Sequence, residues 1–344
     1  MASKSPKSES RAQRKAEEAR RLAEQQERLR KERKTQTTIG IIVIVVLVAL
    51  IAIAGVAVWR STHPSTSSQQ QTTESTNAAK ATLADENVKP SKADNLGGIL
   101  VSKNGYNKPV DDVPTVSIYM DFMCPGCGNL NRTLDQDLVK MMDAGQINID
   151  LHFMSFMDRY SWLDGDSTKT DAYSSRAANA VIYVAEHDDN PTHLLNFVTN
   201  LYKEDFQPEE GSGYKHVSDD QIKAQMKGTG ISEDVQSKAM QRDYDKWLDA
   251  VNTYTPTRQE LWNRSGQLKG SMSTPTVTIN GYFWDMNSSE VTSKKNVAEA
   301  FLDAIGLEQS KVGNSEIRPS IGATGKPLIG YSDDTTDSSS QSKE

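Results

Sequence analysis

Residues 115–127 read Thr-Val-Ser-Ile-Tyr-Met-Asp-Phe-Met-Cys-Pro-Gly-Cys. The first eight alternate and are rich in β-formers, which predicts a strand over Thr115–Phe122. Leu130, Leu134, Leu138 and Met141 recur at helical spacing behind the cysteines, with Gly145 as the stop. Ile147–Phe153 alternates strictly and predicts a second strand. A strand–helix–strand run of this kind pairs in parallel through a right-handed crossover. Cys124-Pro125-Gly126-Cys127 therefore falls where a strand hands over to a helix, and that context gives the motif its meaning.

At a helix start, free backbone N–H groups and the helix dipole favour a thiolate, so Cys124 is the candidate nucleophile. Pro125 suits the first helical turn, where its missing N–H costs nothing. Cys127, one turn in, is expected to be shielded and to act as the resolving thiol, with exchange running through a mixed disulfide. Two other readings compete. A zinc site would need two more ligands from His63, His152, His187, His193 and His216, and no second Cys pair or close His pair supplies them. A static disulfide would be an unusual tenant of a helix start with Pro-Gly between the cysteines.

Beyond the second strand, about a hundred residues carry helical signal. Ala172–Glu186 is Ala-rich and amphipathic, and Asn190-Pro191 reads as an N-cap and first-turn pair. Ser218 and Ser232 read as further caps. Met240, Tyr244, Trp247 and Val251 continue an apolar spacing. Strand signal returns at Thr276–Ile279, followed by the hairpin pair Asn280-Gly281. Asn296–Ile305 with Gly306 behind it is a last helix with a glycine cap.

The chain of 344 residues has a formal charge of −7 that conceals a split. Residues 1–34 hold 12 basic and 6 acidic groups, whereas 61–344 hold 26 and 40. An acidic body argues against nucleic acid as its partner. From Ile39 to Val58 no residue is charged. Twenty residues at about 1.5 Å rise match a bilayer's hydrocarbon core. A buried helix would seldom be apolar on every face, and a cleaved signal peptide would have a shorter apolar run and a shorter lead. Lys31, Arg33 and Lys34 before the span place the N-terminus in the cytoplasm and 61–344 outside. The expected organisation is a basic cytoplasmic tail at 1–38, a transmembrane helix at 39–58, and a flexible Ser/Thr/Gln-rich stalk at 59–95. A folded α/β domain at 96–308 and a disordered tail at 309–344 complete it.

On these residues the sequence resembles a membrane-anchored, DsbA-like thiol-disulfide oxidoreductase of the thioredoxin superfamily. The resemblance covers about residues 96–308 and rests on four features. These are the strand running into Cys124–Cys127, strand Ile147–Phe153, a helical insertion at about 165–268, and Ser273-Thr274-Pro275-Thr276-Val277 before a hairpin and last helix. It implies a thioredoxin-like fold with a helical insertion and a cis Thr274–Pro275 bond beside the sulfurs. It also implies that Thr274 offers backbone groups to an extended client strand. The cofactor is then the redox-active Cys124–Cys127 disulfide itself, with no metal. The partners are secreted or envelope proteins, and a quinone-linked membrane oxidase of the DsbB or vitamin-K-epoxide-reductase type for re-oxidation.

Two departures stand out. Thioredoxins keep a buried acid six residues before the first cysteine, but Ile118 stands there. The nearest acid is Asp121, a candidate for proton transfer with Cys127 and otherwise expected to be a solvated strand-end carboxylate. Strongly oxidising DsbA proteins carry a His between the cysteines, and Pro-Gly stands here. A potential less oxidising than the roughly −120 mV of DsbA is therefore expected. The leading function is a dithiol oxidase acting outside the cell. The alternatives are a reductase serving a specific client, and a non-enzymatic envelope binding module or chaperone.

Overall fold

The computed structural model describes residues 68–332. A six-stranded sheet lies at its centre, in the order β2-β1-β4-β3-β5-β6. The strands are β1 Ile99–Ser102, β2 Gly105–Tyr106, β3 Thr115–Asp121, β4 Asn148–Met154, β5 Thr276–Ile279 and β6 Tyr282–Phe283. β3 and β4 run parallel, from Thr115 opposite Asn148 to Asp121 opposite Met154. β5 lies antiparallel on the other side of β3, with Ile118 opposite Val277. The β1–β2 hairpin extends the far edge; its two short strands gave no clear signal in the sequence.

Nine α-helices accompany the sheet among the described residues: α1 Ser68–Asp85, α2 Pro125–Ala144, α3 Tyr173–His187, α4 Pro191–Leu201, α5 Asp219–Ala224, α6 Glu233–Lys238, α7 Asp245–Tyr254, α8 Ser289–Thr292 and α9 Val297–Ile305. α2 is the crossover between the parallel strands. Leu130, Leu134, Leu138, Met141 and Met142 form its buried face. Gly145 ends it in the left-handed conformation, at φ 71°, with its N–H returned to the Met141 and Met142 carbonyls. Helices α3 to α7 occupy the interval between β4 and β5 where an insertion was expected.

The caps sit where short polar side chains can take orphan N–H groups. Asn190 accepts from Thr192, Ser218 forms a reciprocal box with Gln221, Ser232 accepts from Val235 and Asn296 from Glu299. The apolar spacing Met240–Val251 is not one helix. Arg242 takes φ 60° and its Nε pairs with Asp245 at 2.9 Å, so the helix starts at Asp245.

Two boundaries differ from expectation. The stalk assigned to 59–95 gives way within the described residues to α1, which packs on α7 and buries Ala79 and Leu83. Two side chains one helical turn apart suffice to dock it, although its average composition is polar. The tail assigned to 309–344 is structured as far as 332. Fully buried Gln146 donates through Nε2 to the carbonyls of Lys311, Asn314 and Ile317, at 2.9, 3.1 and 2.9 Å. Its Oε1 accepts from Gly313 N at 2.8 Å. Asn280 holds Gly322 O and Gly325 O in the same way. The segment is fastened by amide clamps on its backbone more than by apolar side chains, so composition could not announce it. The span at 39–58 and the tail at 1–38 lie outside the described residues. Among the described residues no helix is long and apolar enough to cross a membrane.

Candidate functional site

Cys124 is the N-cap of α2, with φ −65° and ψ 118°, and Pro125 opens the helix. The turn out of β3 closes through Cys124 N donating to Asp121 O at 3.1 Å. Cys124 is 7% exposed and Cys127 2%, so the first thiol is the more open of a largely enclosed pair. The Thr274–Pro275 peptide bond is cis. Cys124 Sγ lies 3.3 Å from the Thr274 carbonyl, so the structure brings Cys124, Cys127, Thr274 and Pro275 together. Gly126 permits the approach. A Cβ there would stand 3.0 Å from Pro275 Cδ and 3.8 Å from Cys124 Sγ.

The electrostatics of the two sulfurs diverge. Cys124 is pulled below the usual thiol range, first because the Cys127 thiol hydrogen-bonds its sulfur. A side-chain hydrogen bond from Thr274 and the Cys127 backbone N–H add to this, and burial opposes it. Cys127 is pushed well up, first by burial and then by Cys124 itself. A thiolate on the outer sulfur and a proton on the inner one are the charge states a nucleophile and a resolving thiol need.

Asp121 is not the solvated strand-end carboxylate expected from its position. It has no exposed surface. Oδ1 accepts from Ser174 Oγ at 2.6 Å and from Met123 N at 3.0 Å, and Oδ2 accepts from Met157 N at 2.9 Å. Burial outweighs these bonds and pushes the carboxyl up to about 7. Its backbone N–H meets Cys127 Sγ at 3.5 Å. The reason is the insertion: Ser174 stands on α3 and Met157 in the segment after β4, and together they cover the end of β3. Behind Cys127 a cavity of about 30 Å³ is lined by Leu130, Asn131, Asp135, Thr199 and Tyr202.

Three neighbours of the site were not singled out from sequence. Tyr202 donates its hydroxyl to Asp121 O at 3.0 Å. Gln207 donates through Nε2 to Phe122 O at 3.1 Å and Cys124 O at 3.0 Å. Arg132 Nη1 reaches Tyr202 O at 2.8 Å and Gln207 Oε1 at 3.2 Å. One signal was present, a glycine at position 128 inside an otherwise well-formed helix. The histidines weighed as metal ligands are engaged elsewhere: His152 on Asp150, His193 on Asp188, His216 on Asp171 and His187 against Tyr183. His63 lies outside the described residues.

The chain is similar to several known proteins. Among curated proteins, the serine/threonine-protein kinase PknE of Mycobacterium tuberculosis is 30% identical over 98 residues. That stretch is 28% of this chain and 16% of the kinase, so the chain spans about a sixth of the relatives it matches. Among solved structures, oxidised DsbA of M. tuberculosis is similar at 23% identity and a TM-score of 0.42, covering 57% of this chain and 88% of that one. Reduced DsbG of the same organism gives 24% and 0.42, covering 62% and 88%. MdbA of Actinomyces oris gives 15% and 0.45, covering 67% and 95%. The family described as thioredoxin matches residues 112–298, from the start of β3 into the last helix. With more than half of its length matched, and with the paired cysteines and the Thr274–Pro275 loop inside that stretch, the chain belongs to the thioredoxin family.

Proposed function

We propose that the chain is a thiol-disulfide oxidoreductase working outside the cytoplasm, anchored by residues 39–58, and that it forms disulfides in secreted or envelope proteins. The observation that carries this is the pair itself. A more open Cys124 favours the thiolate and an enclosed Cys127 favours the thiol, beside the Thr274–Pro275 loop. In the oxidising direction a client thiolate attacks Cys124 Sγ and the Cys124–Cys127 bond breaks. Cys127 leaves with the electron pair and takes a proton, which we assign to Asp121, titrating at about 7 beside it. A second client thiolate then attacks the client sulfur of the mixed disulfide. The client leaves with its disulfide, and the chain holds two thiols and two more electrons. Thr274 presents backbone to the client strand. Re-oxidation falls to a quinone-linked membrane oxidase of the DsbB or vitamin-K-epoxide-reductase type. Oxidising surroundings, where product disulfides persist, agree with the charge bias around residues 39–58.

The test is trapping. Cys127→Ala in cells should accumulate reducible adducts between Cys124 and envelope proteins, because the resolving step is lost. Cys124→Ala should accumulate none. Absence of adducts from both variants, or adducts through Cys127 alone, would refute the assignment. Protease added to protoplasts should remove the domain; a protected domain would refute its location.

A further inference from the structure

Glycine in a helix interior is less stable than alanine, yet Gly128 sits buried in the opening turns of α2. Its neighbourhood explains it. A Cβ at 128 would stand 1.9 Å from Gln207 Oε1 and 2.8 Å from Gln207 Cδ. The glycine leaves a slot, and Gln207 fills it. Gln207 comes from outside the thioredoxin core, in the turn just past α4, where its N–H returns to Lys203 O at 2.8 Å.

The orientation of the amide follows from its partners. Arg132 offers only donors, so Oε1 faces it, and carbonyls only accept, so Nε2 faces Phe122 O and Cys124 O. Those carbonyls belong to the Phe122–Met123 and Cys124–Pro125 peptide groups, so one side chain grips the chain on both sides of the Met123–Cys124 peptide. The Cys124 carbonyl also accepts Gly128 N, the first hydrogen bond of α2, at 3.1 Å. Gln207 thus fastens the strand end to the first helical turn, the turn from which the Cys127 backbone N–H meets the outer sulfur.

We propose that Gln207 is a positioning residue of the dithiol, fixing the Phe122–Cys124 turn so that the Cys127 N–H in the first turn of α2 meets Cys124 Sγ, with Gly128 kept bare to admit it. This rests on the oxidoreductase reading for its purpose but not for its test. Loosening the turn leaves the Cys124 thiolate less well met, so the thiol holds its proton to higher pH.

The experiment measures alkylation of Cys124 by iodoacetamide against pH, on the reduced full-length chain, with the labelled cysteine identified by mass. Gln207→Met keeps the volume and removes both donors. Its midpoint should move up, with the rate at pH 6 falling about threefold, while the high-pH plateau does not fall. Gly128→Ala should give the same shift by expelling the side chain. In a Gln207→Ala background, Gly128→Ala should add nothing. An unchanged midpoint in Gln207→Met overturns the proposal, as does an equal effect of Gly128→Ala in both backgrounds. Labelling of Cys127 at every pH would make Gln207 merely structural and overturn it too. If Cys127→Ala traps no client, the oxidoreductase reading falls, and the alkylation curve still decides the role of Gln207.

Discussion

Replacing Asp121 by Asn should change how stability depends on pH, more than it changes stability itself. In the folded chain the carboxyl titrates at about 7, against an ordinary value of 3.8. Between those values the unfolded chain has released the proton and the folded chain still holds it. Stability therefore falls as pH rises from about 4, and the loss is complete above about 7. At 1.36 kcal/mol per unit the full penalty is on the order of 4 kcal/mol, of which about 2–3 kcal/mol accrues between pH 5 and pH 8. Asn escapes the penalty because it never ionises. It has its own cost. Kept on Ser174 Oγ and Met123 N, its oxygen leaves the amide N–H₂ facing the N–H of Met157, which then lacks an acceptor. A buried unpaired donor costs about 1–3 kcal/mol. Asp121→Asn should thus be within about 1 kcal/mol of its parent at pH 5 and about 1–3 kcal/mol more stable than it at pH 8. Urea unfolding followed by tryptophan fluorescence gives both values. A Cys124→Ser, Cys127→Ser parent removes the thiol titrations from the comparison. Parallel stability–pH curves for Asp121→Asn and its parent would refute the buried-carboxyl reasoning, and a variant that loses ground to its parent from pH 5 to pH 8 would reverse its sign.

Other substitutions probe neighbouring parts of the structure. Gly126→Val places branched carbon where even a Cβ would come within 3.0 Å of Pro275 Cδ, so the loop must withdraw from the sulfurs. Disulfide exchange with reduced insulin should slow about tenfold or more while the melting temperature stays near that of wild type, a misplacement effect. Leu83→Ala should destabilise the domain by about 2–5 kcal/mol, the usual cost of a core truncation, since Leu83 is 3% exposed. An unchanged urea midpoint for that variant would show that α1 is not docked.

Legibility from sequence followed the physics of each signal. The β3–α2–β4 unit was readable because alternation, helical spacing and a glycine stop agree with one another over forty residues. The caps and the Asn280-Gly281 turn were readable because their chemistry is local, with both residues at positive φ as a tight hairpin requires. The cysteines and the Thr274–Pro275 step were found as motifs. What escaped depends on contacts distant in sequence. The burial of Asp121 is made by Ser174, 53 residues away, and Gln207 meets Cys124 from 83 residues away. Composition also misled at both ends. A helix with two buried side chains and a strap held by Gln146 and Asn280 look like linkers when only averages are taken.

These distant contacts share a target. The turn from Asp121 to Cys124 is buried at its strand end and carries acceptors that water does not reach: the carbonyls of Asp121 and Phe122, the carbonyl of Cys124 and the Asp121 carboxylate. Buried acceptors need donors. The thioredoxin core supplies Cys124 N, Gly128 N and Met123 N. Further donors are Tyr202 Oη on Asp121 O, Gln207 Nε2 on two carbonyls, and Ser174 Oγ and Met157 N on the carboxylate. All four residues belong to the chain between β4 and β5. The helical insertion is thus a second wall of the redox turn rather than an appendage to the fold. The contacts of these four residues converge on Asp121, Phe122 and Cys124. A change of charge or bonding at Cys124 must therefore be met by the insertion as well as by α2. The acidity of the outer thiol is consequently a joint property of the core, which supplies the helix start, and of the insertion, which holds that start in place.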